Sequence, residues 1–279
     1  MSERKTVQQI LAKKKKGEKI TMLTAYDYPL AALIDRCGID IILVGDSLAN
    51  VVLGLPSTKD VDMNDMLRHA QAVNRAVSQA MLVGDMPYGA YQEHSEQAVK
   101  NAQRFVKEAG CQAVKLEWFD NCLEVAARIV KAGIPVMGHV GLTPQTADKL
   151  GGFKVQGKDA ATAKKIIAQA KALEKAGCFS IVLECIPDQV AEKISKELNI
   201  PTIGIGAGAG CDGQVLVTHD LLGLVTGFHP KFAKRYTDLS KVITQAVNAY
   251  RDEVTQGKFP DKDHSFTIKD EEFKKIQRP

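Results

Sequence analysis

Short apolar runs recur along the chain, and most are separated by enough polar sequence for one helix. Four of them read GIDIILVGD (38–46), GCQAVKLE (110–117), GIPVMGHVG (133–141) and GCFSIVLE (177–184). The leading glycine of each fits the end of a preceding helix, because glycine enters the left-handed conformation cheaply. Runs nearly continuous in Val, Ile and Leu suit parallel strands covered on both faces. Eight such strands are predicted, at about 20–26, 40–46, 81–85, 111–117, 135–141, 179–184, 201–206 and 214–219. Helices are predicted at roughly 29–37, 63–79, 93–109, 120–132, 158–176, 187–198 and 238–256, with a short stretch at 221–225 after the last strand. In 93–109 the apolar Ala98, Ala102, Phe105, Val106 and Ala109 fall on one helical face. Strand–helix alternation gives an α/β protein, and eight strands favour a closed (β/α)8 TIM barrel, with a short N-terminal helix, over an open doubly wound sheet.

Composition narrows this picture without redirecting it. The 279 residues suit one barrel domain over 1–266, and the charged tail 267–279, TIKDEEFKKIQRP, reads as a solvated helix or a disordered end. With 45% hydrophobic and 25% charged residues, the chain can bury a large core without staples. The net charge of +4 comes without a basic, aromatic-interleaved stripe, which argues against nucleic acid as a partner. The Lys13–Lys16 run reads as the solvated end of the N-terminal helix. No secretory h-region stands at the N-terminus, and no run approaches the ~18 apolar residues of a membrane span. The six cysteines show neither a CxxC pair nor a zinc spacing, and they read as reduced thiols of a cytoplasmic protein.

Active sites of such barrels lie at the C-terminal ends of the strands. The polar residues closing the predicted strands are Tyr26 and Asp27, Asp46 and Ser47, Asp85, Lys115 and Glu117, His139, and Glu184. Asp27 stands just before Pro29 at a helix start and serves equally well as an N-cap. Strand alternation puts Lys115 and Glu117 on one side and Val114 and Leu116 on the other. Two charges are cheap only at the barrel mouth, so Lys115 and Glu117 face it. An internal ion pair would also satisfy them, but would leave Asp46 and Asp85 without a partner. Converging carboxylates call for a cation, and oxygen-only donors suit Mg2+. Asp46 and Asp85 are the candidate ligands, Glu117 a ligand directly or through water, and Glu184 is free to act as base. EAGCQAVKLE (108–117) and KAGCFSIVLE (175–184) align, which places Glu117 and Glu184 at equivalent points of the rim. GAGCDG (208–213) matches a dinucleotide-loop pattern, but the following QVLVTHD reads as a strand where that motif needs a helix, so a tight loop is expected.

The segments TAYD (24–27), VGDSL (44–48), GDMPYGAY (84–91), VKLE (114–117), GHVGLTPQ (138–145), GGFKVQG (151–157), IVLECIP (181–187), IGIGAG (203–208), CDGQVLV (211–217) and HDLLGL (219–224), with FPDKDHSF (259–266), follow one another in order. Through them the chain, from about residue 5 to 266, resembles the ketopantoate hydroxymethyltransferase family. The resemblance implies transfer of a hydroxymethyl group from 5,10-methylenetetrahydrofolate to 3-methyl-2-oxobutanoate, through a Mg2+-stabilised enolate, in pantothenate biosynthesis. It implies Mg2+ on Asp46, Asp85 and Glu117, and the keto acid held by Asp46, Ser47, Asp85 and Lys115 with His139 as a further contact. It also implies Glu184 as proton acceptor, and a homodecamer. One departure is Ala90, where a serine is expected in many relatives. Two other readings compete: a folate-independent Mg2+ enzyme of the phosphoenolpyruvate mutase and isocitrate lyase type, and a barrel without catalytic activity.

Overall fold

The computed structural model describes residues 4–225, 227 and 229–276. The extremes of the expected domain and tail, 1–3 and 277–279, lie outside the described residues, as do 226 and 228. Eight parallel strands close in sequence order into a barrel: β1 (Ile20–Thr24), β2 (Ile41–Val44), β3 (Met81–Asp85), β4 (Ala113–Glu117), β5 (Val136–Gly141), β6 (Ser180–Glu184), β7 (Thr202–Ile205) and β8 (Gly213–Leu216). The helices are α1 (Val7–Lys15), α2 (Tyr28–Arg36), α3 (Leu48–Val51), α4 (Met63–Ala76), α5 (Ser95–Lys107), α6 (Cys122–Lys131), α7 (Ala160–Lys175), α8 (Asp188–Glu197), α9 (Thr218–Leu221), α10 (Leu239–Thr255) and α11 (Asp270–Ile276). Two 3-10 turns, Thr58–Asp60 and Pro144–Leu150, sit in the loops after β2 and β5. The expected TIM barrel is therefore present. No described helix is long and apolar enough to cross a membrane.

Strand alternation builds two cores. Ile20, Met22, Ile41, Leu43, Met81, Val83, Ala113, Met137, Val182, Ile203 and Val215 fill the barrel interior. The intervening Ile42, Val44, Leu82, Val114, Leu116, Val140, Ile181 and Leu183 pack outward against the helices. Gly84 lacks a side chain because the Phe105 ring of α5 fills the space a Cβ would need, which lets that helix lie close on β3. The helical face of α5 is narrower than the periodicity suggested: Ala98, Asn101, Ala102 and Phe105 are buried, while Val106 turns outward. Adjacent positions differ by about 100° around a helix, so Phe105 and Val106 do not share a buried stripe.

The N-terminal helix closes the bottom of the barrel. Ile10 is fully buried and joins the interior core. Here the lysine run is not simply solvated: Lys13 pairs with Asp40 at 2.6 Å and Lys14 with Asp212 at 2.8 Å. These carboxylates also accept from Thr21 and Thr202 near the bottom of β1 and β7, so the two lysines tie the plug to the barrel. The short helical stretch predicted at 221–225 forms earlier, as α9, because Thr218 anchors its first turn on Thr24 of β1. The segment between β7 and β8 is a loop without a helix, as expected for GAGCDG. α10 contributes no buried residue.

Candidate active site

Each strand end delivers its side chain by the same alternation that fills the core. In β4, Ala113 points inward, Val114 outward, Lys115 inward, Leu116 outward and Glu117 inward. Strand register then sets the neighbours. Asp85 of β3 stands opposite Lys115, and Glu117 stands opposite His139. The result is a cavity of ≈ 830 Å³ at the C-terminal face, whose floor carries Asp46, Asp85, Lys115, Glu117, His139 and Glu184. Ser47 lines it too, with Oγ 2.7 Å from the Tyr26 hydroxyl. All the residues singled out for catalysis, substrate and metal thus converge on one cavity. Asp27 does not join them: its carboxylate accepts from the Leu30 N–H at 2.8 Å and caps α2.

The floor is a dense charge cluster out of water. Lys115 Nζ donates to both oxygens of Asp85, at 2.8 and 2.7 Å, and lies 4.0 Å from Glu117 Oε1. The Asp46 N–H donates to Asp85 Oδ2 at 3.3 Å. Burial, reinforced by the charge of Glu117, pushes Asp46 up to about 6. Burial likewise raises Asp85 to about 6, against the pull of Lys115. Burial disfavours charge on Lys115, but Asp85, Glu117 and Asp46 together raise it above its ordinary value. His139 lies between two carboxylates, Nδ1 3.5 Å from Glu117 and Nε2 3.3 Å from Glu184. Burial and Lys115 press His139 down, yet Glu117 and Glu184 carry it up to about 9.

Two residues that strand-end reasoning did not assign hold this cluster in place. Gln145, in the turn after β5, donates through Nε2 to Asp46 Oδ2 and to the Met86 carbonyl, both at 3.0 Å. Its backbone N–H donates to Glu117 Oε2 at 3.0 Å. The Tyr91 hydroxyl donates to Gln145 Oε1 at 2.6 Å and accepts from the Glu117 N–H at 3.1 Å. The signal was in the sequence, since Gln145 ends GHVGLTPQ and Tyr91 ends GDMPYGAY. The departure at Ala90 is absorbed locally: its carbonyl accepts from the Asn101 side chain at 2.7 Å, a contact that any residue can make.

Comparison with known proteins decides the family. Residues 4–262 match ketopantoate hydroxymethyltransferase. The chain belongs to the ketopantoate hydroxymethyltransferase family. A 3-methyl-2-oxobutanoate hydroxymethyltransferase of Syntrophomonas wolfei is 53% identical over 268 residues, covering 96% of this chain and 97% of the relative. One of Syntrophus aciditrophicus is 56% identical over 261 residues, covering 94% and 96%. Like other ketopantoate hydroxymethyltransferases, the chain is an enzyme that transfers a one-carbon group. Among solved structures, phosphonopyruvate hydrolase in complex with oxalate and Mg2+ superposes with a TM-score of 0.61 at 13% identity, covering 97% of this chain and 94% of that one. Phosphoenolpyruvate phosphomutase from Streptomyces platensis gives 0.62 at 14%, covering 98% of each. The ketopantoate hydroxymethyltransferase barrel is thus shared with the rival enzyme group, and fold alone does not separate the two readings.

Among the described residues no three His, Cys, Asp or Glu side chains stand close enough to enclose a metal ion. Lys115 holds both oxygens of Asp85, and Gln145 holds one oxygen each of Asp46 and Glu117. The donor set still fits Mg2+, which takes one or two carboxylates and fills its octahedron with water and substrate oxygens. Glu117 Oε1 is buried without a hydrogen-bond partner among the described residues, and Asp46 is kept from ionising freely. Both are signs of a site short of positive charge.

Proposed function

We propose that this cavity transfers a hydroxymethyl group from 5,10-methylenetetrahydrofolate to 3-methyl-2-oxobutanoate, giving 2-dehydropantoate. The observation that carries the reading is the meeting of a buried Asp46–Asp85–Lys115–Glu117 cluster with Glu184 across His139 in one cavity. Asp46, Ser47, Asp85 and Lys115 receive the keto acid, with Lys115 opposing its carboxylate charge and Ser47 fixing its orientation. Asp46 and Asp85, with Glu117 directly or through water, would hold Mg2+, which would supply Lewis acidity toward the keto oxygen. Glu184 accepts the C3 proton, and His139, whose Nε2 lies 3.3 Å from it, keeps its carboxylate aimed. The C3 electron pair forms the bond to the folate-borne methylene carbon, both C–N bonds of that carbon break, water provides the hydroxyl oxygen, and the C3 proton and one water proton end on the two nitrogens of the departing tetrahydrofolate.

Residues 1–266 form the catalytic domain in this reading, and 267–279 a tail outside the chemistry. The enzyme is cytoplasmic, which its six free thiols support. It assembles as a homodecamer, the count that the family resemblance implies. Self-association is supported by α10, where Ile243, Val247, Tyr250 and Val254 make an exposed stripe at helical spacing.

The deciding experiment supplies both substrates with and without a chelator. Folate-dependent ketopantoate formation, abolished by chelation and restored by Mg2+, is the expected result. Turnover of a keto acid without folate would instead favour the mutase and lyase reading, and no turnover a non-catalytic barrel.

A further inference from the structure

The cavity is divided. From β2 to β6 the strand ends are charged, carrying Asp46, Asp85, Lys115, Glu117, His139 and Glu184. From β7 through β8 to β1 the inward positions that line the same cavity are Ile205, Val215, Val217 and Thr24, and the Thr24 hydroxyl is already engaged by the Thr218 N–H at 3.1 Å. A five-carbon keto acid with its metal needs only the charged half. The whole cavity, ≈ 830 Å³, falls instead in the range of clefts that enclose drug-sized ligands, about 300–1,000 Å³. Glu184 stands on β6, at the border of the two halves, where a base must sit if the carbon it activates is to meet a second substrate.

The apolar half carries one unmatched acid. Asp220 of α9 lines the cavity and is half-buried. Among the described residues its carboxylate makes no hydrogen bond and no ion pair; burial raises its pKa, and only the more distant charges of His229 and Arg235 oppose that. Higher on the wall, Phe153 and Phe232 present rings at the mouth, exposed by 74% and 36%, and Lys154 and Lys231 flank them.

We propose that this half is the folate subsite, with Asp220 receiving the pterin. The inference rests on the transfer reading above. A reduced pterin offers two adjacent donors, the ring N3–H and the 2-amino group, and a carboxylate accepts both in a bidentate, charge-assisted pair. The apolar β7–β8–β1 wall takes the faces of the bicyclic ring. Phe153 and Phe232 cover the aminobenzoyl ring, and Lys154 and Lys231 meet the carboxylates of the glutamate tail at the rim. This arrangement places the one-carbon unit, which sits between pterin and aminobenzoyl ring, toward Glu184.

Two fragments and the intact ligand test the assignment. Wild-type enzyme and Asp220→Asn are titrated with tetrahydrofolate, with 6-methyltetrahydropterin and with p-aminobenzoylglutamate, and the KM of each substrate is measured. Asp220→Asn is expected to weaken tetrahydrofolate and the pterin fragment roughly 10- to 100-fold. The p-aminobenzoylglutamate affinity and the KM for the keto acid are expected to hold within about twofold of wild type. Phe232→Ala, at an exposed position, is expected to weaken p-aminobenzoylglutamate and spare the pterin fragment. Unchanged pterin affinity in Asp220→Asn, with wild-type tetrahydrofolate binding intact, would overturn the subsite while leaving the transfer reading standing. Failure of the wild-type enzyme to bind tetrahydrofolate at all would overturn both.

Discussion

Gln145→Ala removes the side chain that holds the Asp46 carboxylate in place. The residue is 1% exposed and its side chain makes four hydrogen bonds, three of them at 3.0 Å or less: to Asp46 Oδ2 at 3.0 Å, to the Met86 carbonyl at 3.0 Å and from the Tyr91 hydroxyl at 2.6 Å, with Gln92 Nε2 donating at 3.3 Å. A buried group left without its partner costs about 1–3 kcal/mol. Three of them would cost about 3–9 kcal/mol, and water entering the vacated volume should hold the loss near the low end, about 3 kcal/mol. The functional share is narrower. A hydrogen bond to a charged group contributes about 1.5–3 kcal/mol, which is roughly 10- to 150-fold in a dissociation constant. Calorimetric titration of the variant with Mg2+ and 3-methyl-2-oxobutanoate together should therefore show affinity lowered at least about tenfold. The backbone N–H of residue 145 still serves Glu117, so the effect should act through Asp46. A variant that melts lower but binds both within about twofold of wild type would refute this reasoning and leave Gln145 a purely structural residue.

Asp85→Ala should abolish measurable keto-acid and Mg2+ binding in the same titration, because it also strands the Lys115 ammonium in a buried site; normal affinity for both would remove Asp85 from the site. Asp35→Asn should destabilise the fold by about 2–4 kcal/mol in urea melts at neutral pH, since the carboxylate accepts from the N–H groups of Ser78, Gln79 and Ala80 and from the Ser78 hydroxyl. Burial raises the Asp35 pKa, but those donors outweigh it and leave a lowered value. Its contribution is therefore complete above the ordinary carboxylate pKa near 3.9 and fades as pH falls through the lowered one, so the gap between wild type and variant should shrink in acid. Val247→Glu with Tyr250→Glu on α10 should shift light-scattering mass to smaller assemblies; an unchanged mass would show that this stripe is not an interface.

The parts of the fold that were legible in the sequence are those where a period decides. The apolar runs, four of them led by glycine, marked all eight strands, and the Lys115–Glu117 alternation put both charges inside the barrel, because pleating leaves a strand residue only two directions. Strand-end position likewise brought Asp46, Asp85, His139 and Glu184 to one cavity. What period does not govern was missed. Gln145 sits in a 3-10 turn and Tyr91 in a loop, with contacts that join residues 54 and 99 positions apart, and Asp220 sits in a four-residue helix that Thr218 ties to Thr24, 194 positions away. Lys13 and Lys14 look like solvent-facing charges until chain closure puts Asp40 and Asp212 beside them. Ion pairing across the barrel floor is a property of the closed sheet and has no local signature.

The role of Glu184 is open to the most direct test. Nuclear magnetic resonance can follow loss of the C3 proton of 3-methyl-2-oxobutanoate in deuterated water, with Mg2+ and without folate. The wild-type enzyme should exchange that proton, and Glu184→Gln should slow exchange by about 10²- to 10⁴-fold while binding the keto acid with near wild-type affinity. Exchange at the wild-type rate in Glu184→Gln would contradict a base at the end of β6.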